Sequence, residues 1–151
     1  MAVHQYVNSL QELEAAIEQF KNISMQVSST PSRNENTEHL INDFPIFIIV
    51  SGTKDENGVS WCPDCEKADP VLEEAEQSLA PEPSAFITVY LTREEWKNPK
   101  NVFRTDGRFR LTSIPTMLKW PNREPKLVEA QCADIDAIKE FFDECCPQDQ
   151  D

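Results

Sequence analysis

Basic residues are scarce in this chain. Its 151 residues include 14 lysines and arginines against 27 aspartates and glutamates, which gives a formal net charge of −13 at pH 7. Nucleic-acid affinity comes mostly from cationic side chains that displace counterions, and anionic membrane surfaces attract basic segments. The charge balance therefore argues against a nucleic-acid partner and against a membrane partner.

Long apolar runs are also lacking, and the first residues do not show the pattern of a secretory leader. No stretch approaches the roughly 18 apolar residues that indicate a transmembrane helix. The longest run, at 44–50, has the length of a strand. The first residues, MAVHQY, contain no basic segment followed by an apolar core, so we expect no signal peptide. These features predict an acidic, soluble protein of the cytosol.

An even set of cysteines is lacking as well. There are five, and an odd number cannot form a fully paired disulfide framework within one chain. Without a signal peptide the compartment is expected to be reducing, and there a close cysteine pair indicates metal or redox chemistry. The five are Cys62, Cys65, Cys132, Cys145 and Cys146.

Size and composition are those of one globular domain. A chain of this length can bury about 70% of its unfolded surface, so it requires no disulfide or metal for stability. Apolar residues make up 39% and charged residues 27%, which lies inside the globular range. We interpret 1–151 as a single domain with a polar surface-loop insertion at 24–40 and a flexible tail at 145–151.

Hydrophobic periodicity predicts alternating strands and helices in the order β-α-β-α-β-α-β-β-α. Such alternation indicates an α/β fold in which helices flank a mixed central β-sheet. The predicted strands are 3–7, 44–50, 86–91, 116–120 and 126–129. The predicted helices are 10–22, 66–79, a short helix within 92–110, and a last helix that Asp134 caps.

The motif Cys62-Pro63-Asp64-Cys65 decides the functional interpretation. Two residues between cysteines, on a turn that opens a helix, let the sulfurs face each other at bonding distance. The unpaired N–H groups of the helix N-terminus favour a thiolate there, and lowering a thiol pKa from about 8.5 to about 7 makes half of it reactive. Cys62 is therefore the candidate nucleophile, and Cys65, one turn into the helix, is the candidate resolving thiol.

A zinc site and a structural disulfide are two other uses of a close cysteine pair. A zinc site needs four ligands, and the remaining cysteines and the two histidines, His4 and His39, have no finger or knuckle spacing. A purely structural disulfide is unusual in a reducing compartment. We therefore expect no metal and favour redox chemistry. We expect Cys132 to be a small buried or half-buried residue, the pair at 145–146 to be inert exposed thiols, and both histidines to lie on the surface.

Several spaced segments resemble a known family. The segment 61–65, WCPDC, is similar to the WCxxC active site of the thioredoxin fold, and 113–116, SIPT, is similar to its cis-proline segment. The turn 51–55, SGTKD, resembles the lengthened S/T-G-x-K-D turn of the thioredoxin domain-containing protein 17 family, which are small cytosolic thioredoxin-related proteins. The resemblance covers about 3–143 and includes Pro70 and the segments 96–99, 103–104, 115–119 and 126–129.

The resemblance implies a thioredoxin-like fold and a protein or small-molecule disulfide reductase. Cys62 attacks a substrate disulfide, and Cys65 resolves the mixed disulfide. Trp61, Ile114 and Pro115 align the substrate, with a cis bond before Pro115.

The resemblance also implies the electron source, the substrates and the state of the protein. Pro63 and Asp64 tune the redox potential. Electrons come from NADPH through thioredoxin reductase, and the substrates are cystine-like small disulfides and selected proteins. No cofactor is bound beyond the redox-active Cys62–Cys65 disulfide, and the protein is cytosolic. A monomer is our default expectation, which does not come from the resemblance.

Two questions stay open at the level of sequence. Thioredoxin keeps a buried aspartate at the end of its central strand, where this chain has Ser51, so the group that deprotonates Cys65 is undetermined. Asp64 and a water in the long turn are candidates. The alternative function is a redox-regulated binding or adaptor module on a thioredoxin scaffold, because a fold does not establish an activity.

Overall fold

Strands and helices alternate along the chain in the computed structural model, which describes residues 2–28, 45–81 and 83–146. The strands are β1 (Ala2–Val7), β2 (Ile46–Gly52), β3 (Ser84–Leu91), β4 (Thr116–Trp120) and β5 (Lys126–Val128). The helices are α1 (Leu10–Ser28), α2 (Pro63–Ser78), α3 (Arg93–Lys97), α4 (Val102–Thr105) and α5 (Ile135–Cys145), with a 3-10 helix at Glu129–Ala133.

The five strands form one mixed sheet in the order β1-β3-β2-β4-β5. β3 pairs in parallel with both β1 and β2, whereas β4 pairs antiparallel with both β2 and β5. All seven residues of the central strand β2 are buried, as expected for a β-branched and aromatic run with both faces covered. The predicted α/β architecture with a mixed sheet is confirmed.

Two apolar layers cover the two faces of the sheet. Ile46, Ile48 and Val50 of β2 join a cluster with the buried face of α1, whereas Phe47 and Ile49 join a cluster with α2 and α5. This division follows from the strand period, since successive side chains point to opposite faces. The end of β2 is thereby held between two packed layers, and the cysteine motif follows it.

The helix α1 is longer than predicted. It ends at Ser28 rather than at residue 22, so the first residues of the predicted insertion at 24–40 are helical. In the sequence, Ile23 and Val27 follow Phe20 at helical spacing, which extends the pattern beyond the predicted end. The part of the insertion from 29 to 40 lies outside the described residues.

The predicted tail at 145–151 begins too early, because Cys145 is the last residue of α5 and Cys146 is the C-cap of that helix. Residues 147–151 also lie outside the described residues.

The single short helix predicted within 92–110 is in fact two helices. Asn98, the C-cap of α3, has extended backbone angles, which the following Pro99 favours. Asn101 is the N-cap of α4, and its side chain accepts a hydrogen bond from the N–H of Phe103 at 2.8 Å.

None of the described helices is both long and apolar enough to cross a membrane.

Candidate active site

The cysteine motif lies where the turn after β2 enters α2. Cys62 is the N-cap of α2, with extended backbone angles of φ −100° and ψ 111°. Pro63 follows at the first helical position, where its fixed φ suits a helix start and no N–H is lost to the helix. The Cys65 N–H donates to Cys62 Sγ at 3.2 Å. An unpaired donor of the helix N-terminus therefore points at the sulfur of the predicted nucleophile.

The two cysteines form a disulfide, with their Cα atoms 5.2 Å apart. Cys62 is 6% exposed, whereas Cys65 is fully buried. The Gly52 N–H, at the end of β2, donates to Cys65 Sγ at 3.3 Å. The inner sulfur is thus tied to the central strand, and of the two cysteines only Cys62 keeps some exposed surface.

Ser60 connects the long turn to Cys62, to the end of β2 and to α2. Its hydroxyl donates to the Gly52 carbonyl at 3.0 Å and accepts the Cys62 N–H at 3.2 Å. Its own N–H donates to the Glu66 carboxylate on α2 at 2.7 Å. Sequence analysis missed this network. The only sequence signal for it is a serine two residues before the first cysteine, where a short hydroxyl can reach neighbouring backbone groups.

Trp61 and the segment around Pro115 flank Cys62. The Trp61 indole N–H donates to the Leu91 carbonyl at 2.9 Å, which holds the partly buried ring at the end of β3. Cys62 Sγ lies 3.8 Å from the Ile114 carbonyl oxygen. The peptide bond between Ile114 and Pro115 is cis. The structure therefore brings together three segments that are far apart in sequence.

The remaining predicted site residues occupy the first turn of α2. Pro63 is exposed and Asp64 is partly exposed. Both lie between the two cysteines in the chain, at the N-terminus of the helix. Any effect of Pro63 and Asp64 on the redox potential acts through this position.

Asp69, which sequence analysis did not single out, lies beside the end of β2. Ser51 is fully buried, and its hydroxyl donates to Asp69 Oδ1 at 3.5 Å. The Lys54 ammonium is 3.1 Å from Asp69 Oδ2. Burial raises the pKa of Asp69 above its ordinary value, and Lys54 opposes that rise. The sequence signal is the spacing, because Asp69 follows Cys65 by four residues on one helix and so shares its face.

The other cysteines differ in burial. Cys132 is fully buried, as predicted; its thiol donates to the Leu127 carbonyl at 3.5 Å, and burial raises its pKa to about 12. Cys145 and Cys146 are partly buried against the core rather than exposed, so that expectation was wrong. Burial raises the pKa of Cys145 to about 11.

His4 is partly buried and contacts Glu76 and Thr88, which a plain surface group would not do. His39 lies outside the described residues. Within the described ranges, no group of three or more His, Cys, Asp or Glu side chains is arranged to hold a metal ion.

The sequence matches the model of a known family. Residues 15–144 match the thioredoxin domain of thioredoxin domain-containing protein 17-like proteins. The chain belongs to the thioredoxin domain-containing protein 17-like family. It is 42% identical over 100 residues to Thioredoxin domain-containing protein 17 of Danio rerio, and 38% and 37% identical to the proteins of that name from Mus musculus and Homo sapiens. Each alignment covers 66% of this chain and 78% of the relative.

Membership of the thioredoxin domain-containing protein 17-like family confirms the thioredoxin-like fold and the resemblance seen in the sequence. The matched range contains the whole cysteine motif and the cis-proline segment. The close, disulfide-bonded cysteine pair in a thioredoxin domain supports thiol–disulfide oxidoreductase activity.

Proposed function

We propose that this protein is a disulfide reductase. In the reduced form, the Cys62 thiolate attacks one sulfur of a substrate disulfide, and the other half of the substrate leaves as a thiolate and takes up a proton. The Cys65 thiol then loses its proton and attacks Cys62 Sγ, which expels the second half of the substrate. Two electrons pass to the substrate, and the Cys62–Cys65 disulfide remains.

The unequal positions of the two sulfurs carry this assignment of roles. Cys62 is slightly exposed at the N-cap of α2, and its sulfur accepts a backbone N–H at 3.2 Å. That hydrogen bond and the helix N-terminus favour a thiolate at Cys62. Cys65 is fully buried, so a bulky disulfide cannot reach its sulfur, whereas Cys62 is the cysteine of the pair with some exposed surface. The first attack therefore belongs to Cys62 and the resolving attack to Cys65.

The flanking segments suit substrate alignment. The Ile114 carbonyl oxygen is 3.8 Å from Cys62 Sγ, so the backbone before the cis-proline borders the reacting sulfur. An extended substrate segment can pair there through backbone hydrogen bonds, in the manner of an added strand. Trp61 precedes Cys62 in the chain, and its indole is held at the end of β3 by the Leu91 carbonyl. In this proposal, Trp61, Ile114 and Pro115 position the substrate, and Pro63 and Asp64 tune the potential.

The proposal extends to the electron source and the substrates. Electrons come from NADPH through thioredoxin reductase and regenerate the dithiol. The substrates are cystine-like small disulfides and selected proteins, and the net charge of −13 favours partners that are not themselves acidic. The protein acts as a monomer in the cytosol.

The test measures NADPH consumption with thioredoxin reductase and either cystine or insulin. We expect turnover by the wild type, faster with cystine, and none by Cys62→Ser. Cys65→Ser should accumulate a mixed disulfide on Cys62, which mass spectrometry detects. Cys145→Ser is the control, because this thiol lies at the end of α5 outside the site, and it should turn over like the wild type.

One outcome contradicts the reductase assignment. The wild-type protein could be folded, with Cys62 reactive toward an alkylating reagent, and still turn over neither disulfide. In that case it is not a disulfide reductase that receives electrons from NADPH through thioredoxin reductase. A partner that binds both wild type and Cys62→Ser would then support the adaptor function.

A further inference from the structure

The resolving step requires a proton acceptor that the site described so far does not provide. Cys65 must become a thiolate before it attacks Cys62, and a thiol has an ordinary pKa of about 8.5. Cys65 is fully buried, so bulk water does not reach its sulfur. The contact described at that sulfur is the Gly52 N–H, which is a donor and cannot take a proton.

Asp69 is a carboxylate that the structure connects to Cys65 through its neighbours. It follows Cys65 by four residues on α2, and side chains at that spacing are neighbours on one helix face. Its Oδ1 accepts a hydrogen bond from Ser51, and the next residue, Gly52, donates to Cys65 Sγ. Asp69 and Cys65 are thus linked through two consecutive residues at the end of β2 and through one turn of α2.

The environment of Asp69 suits proton exchange. Its side chain is 17% exposed, and Lys54, which is 39% exposed, holds Oδ2 at 3.1 Å. Burial raises the pKa of Asp69. The pKa of the carboxylate therefore lies nearer to that of a thiol, which makes Asp69 a better base for a thiol proton. Asp64, the candidate named from sequence, lies instead in the first turn beside Cys62.

A cavity joins Asp69 to the surface. It has a volume of about 60 Å³ and is lined by Asp69 and by Tyr6, which is 62% exposed. A cavity needs only about 10–15 Å³ to hold one water when polar groups surround it. The charged and titratable groups that face Asp69 or line this cavity come from every element around it: Lys54 in the turn, Glu66, Glu73 and Glu76 on α2, His4 and Tyr6 on β1, and Tyr90 on β3.

We infer that Asp69 is the proton acceptor for Cys65 in the resolving step, and that the cavity beside Tyr6 is its route to solvent. This inference rests on the proposed reductase function. When the mixed disulfide has formed on Cys62, the Cys65 S–H bond breaks and its proton passes to the Asp69 carboxylate through Ser51 or a water. The Cys65 thiolate forms its bond to Cys62 Sγ, the bond from Cys62 to the substrate sulfur breaks, and Asp69 returns the proton to solvent. The lining of this cavity includes neither Ile114 nor Pro115, so proton release and substrate alignment use different residues.

The experiment separates the two steps in a single turnover. Reduced protein, with Cys145 and Cys146 replaced by serine in every sample, is mixed with dithiobis(nitrobenzoate) in a stopped-flow spectrometer. Attack by Cys62 releases one coloured thionitrobenzoate, and resolution by Cys65 releases the second. The two rates are measured across pH for wild type, Asp69→Asn, Ser51→Ala, Asp64→Asn and the control Glu74→Gln, an exposed carboxylate on the same helix.

Asp69→Asn should leave the first release unchanged and slow the second on the order of 100-fold at neutral pH, the contribution typical of a general base. The loss should shrink as pH rises and hydroxide replaces the carboxylate. Ser51→Ala should slow the second release less, and Glu74→Gln should match the wild type. Ser51→Ala keeps the inference testable if Asp69→Asn does not fold.

Three results overturn the inference, and they are distinguishable. A second release in Asp69→Asn with the rate and pH profile of wild type shows that the proton leaves by another route. A slow second release in Asp64→Asn alone assigns the role to Asp64. Absence of the first release in the wild type overturns the proposed reductase function itself.

Discussion

Replacement of Gly52 by alanine tests whether the central strand must touch the cysteine motif directly. Gly52 is the buried last residue of β2. A Cβ atom at this position would lie 2.9 Å from the Cβ of Cys62, 2.9 Å from Cε2 of Trp61 and 3.0 Å from the hydroxyl of Ser60. Favourable carbon contacts lie at about 3.5–4.0 Å, so the turn that carries the nucleophile must move away from the strand.

The expected cost follows from these contacts. Overpacking a well-packed site costs about 1–3 kcal/mol. For a chain of this size each 1 kcal/mol lowers Tm by about 2–4 °C, so Gly52→Ala should melt about 2–12 °C below wild type. Activity should fall as well, because the Gly52 N–H binds Cys65 Sγ and the displaced residues include Cys62.

The assay is thermal unfolding of the oxidised protein by circular dichroism, together with cystine reduction. The other two glycines of the chain are the matched controls. Apart from the two chain neighbours of Gly107, none of the described atoms lies within 4 Å of a Cβ at that position, so Gly107→Ala should change stability by less than about 0.5 kcal/mol. Gly58 is equally open but has φ +81°, so Gly58→Ala should lose about 1–2 kcal/mol through backbone strain and stay active. A Gly52→Ala protein with wild-type Tm and wild-type activity would refute the close approach.

Two further predictions concern buried titratable groups. Burial raises the pKa of Cys132 to about 12, so its thiol should resist iodoacetamide at mildly alkaline pH in the folded protein and react after unfolding. Mass spectrometry of tryptic peptides measures both reactions. Rapid alkylation of Cys132 in the folded protein would contradict its burial. The pKa of Asp69 is raised in the folded state above its ordinary 3.8, so the folded protein binds this proton more tightly and loses stability as pH rises through the folded pKa. Asp69→Asn should therefore unfold at a higher urea concentration than the wild type at neutral pH, and this difference should shrink as the pH falls toward 3.8. A lower urea midpoint for Asp69→Asn at neutral pH would show that the charged Asp69 stabilises the folded state, contrary to this prediction.

Local features of the fold and site were predictable because their causes are local. The apolar run of β2 is stable only when both of its faces are buried, and it forms the central strand of the sheet. A cysteine followed by proline suits a helix N-cap, and Cys62 occupies that position in α2. Asp134 was expected to cap the last helix, and its side chain accepts hydrogen bonds from the N–H groups of Asp136 and Ala137.

Errors in the prediction occurred where local signals compete. The end of α1 was placed too early because the polar residues beyond residue 22 outweighed two apolar positions at helical spacing. Cys145 was expected to be exposed because it follows the last apolar positions of α5, yet it packs against the core. Whether a residue near a helix end is buried depends on what the rest of the chain places beside it.

The sequence by itself determined the pattern of strands and helices, the redox-competent cysteine pair and the family, since each depends on residues close in the chain. Only the tertiary structure decided what surrounds the two sulfurs. The Ile114 carbonyl beside Cys62 comes from 52 residues away, and the Leu91 carbonyl that holds Trp61 from 30 residues away. The pairing of Lys54 and Ser51 with Asp69 likewise requires the turn and α2 to meet. Such contacts follow from the order and register of the strands, which bring together groups that no short-range pattern relates.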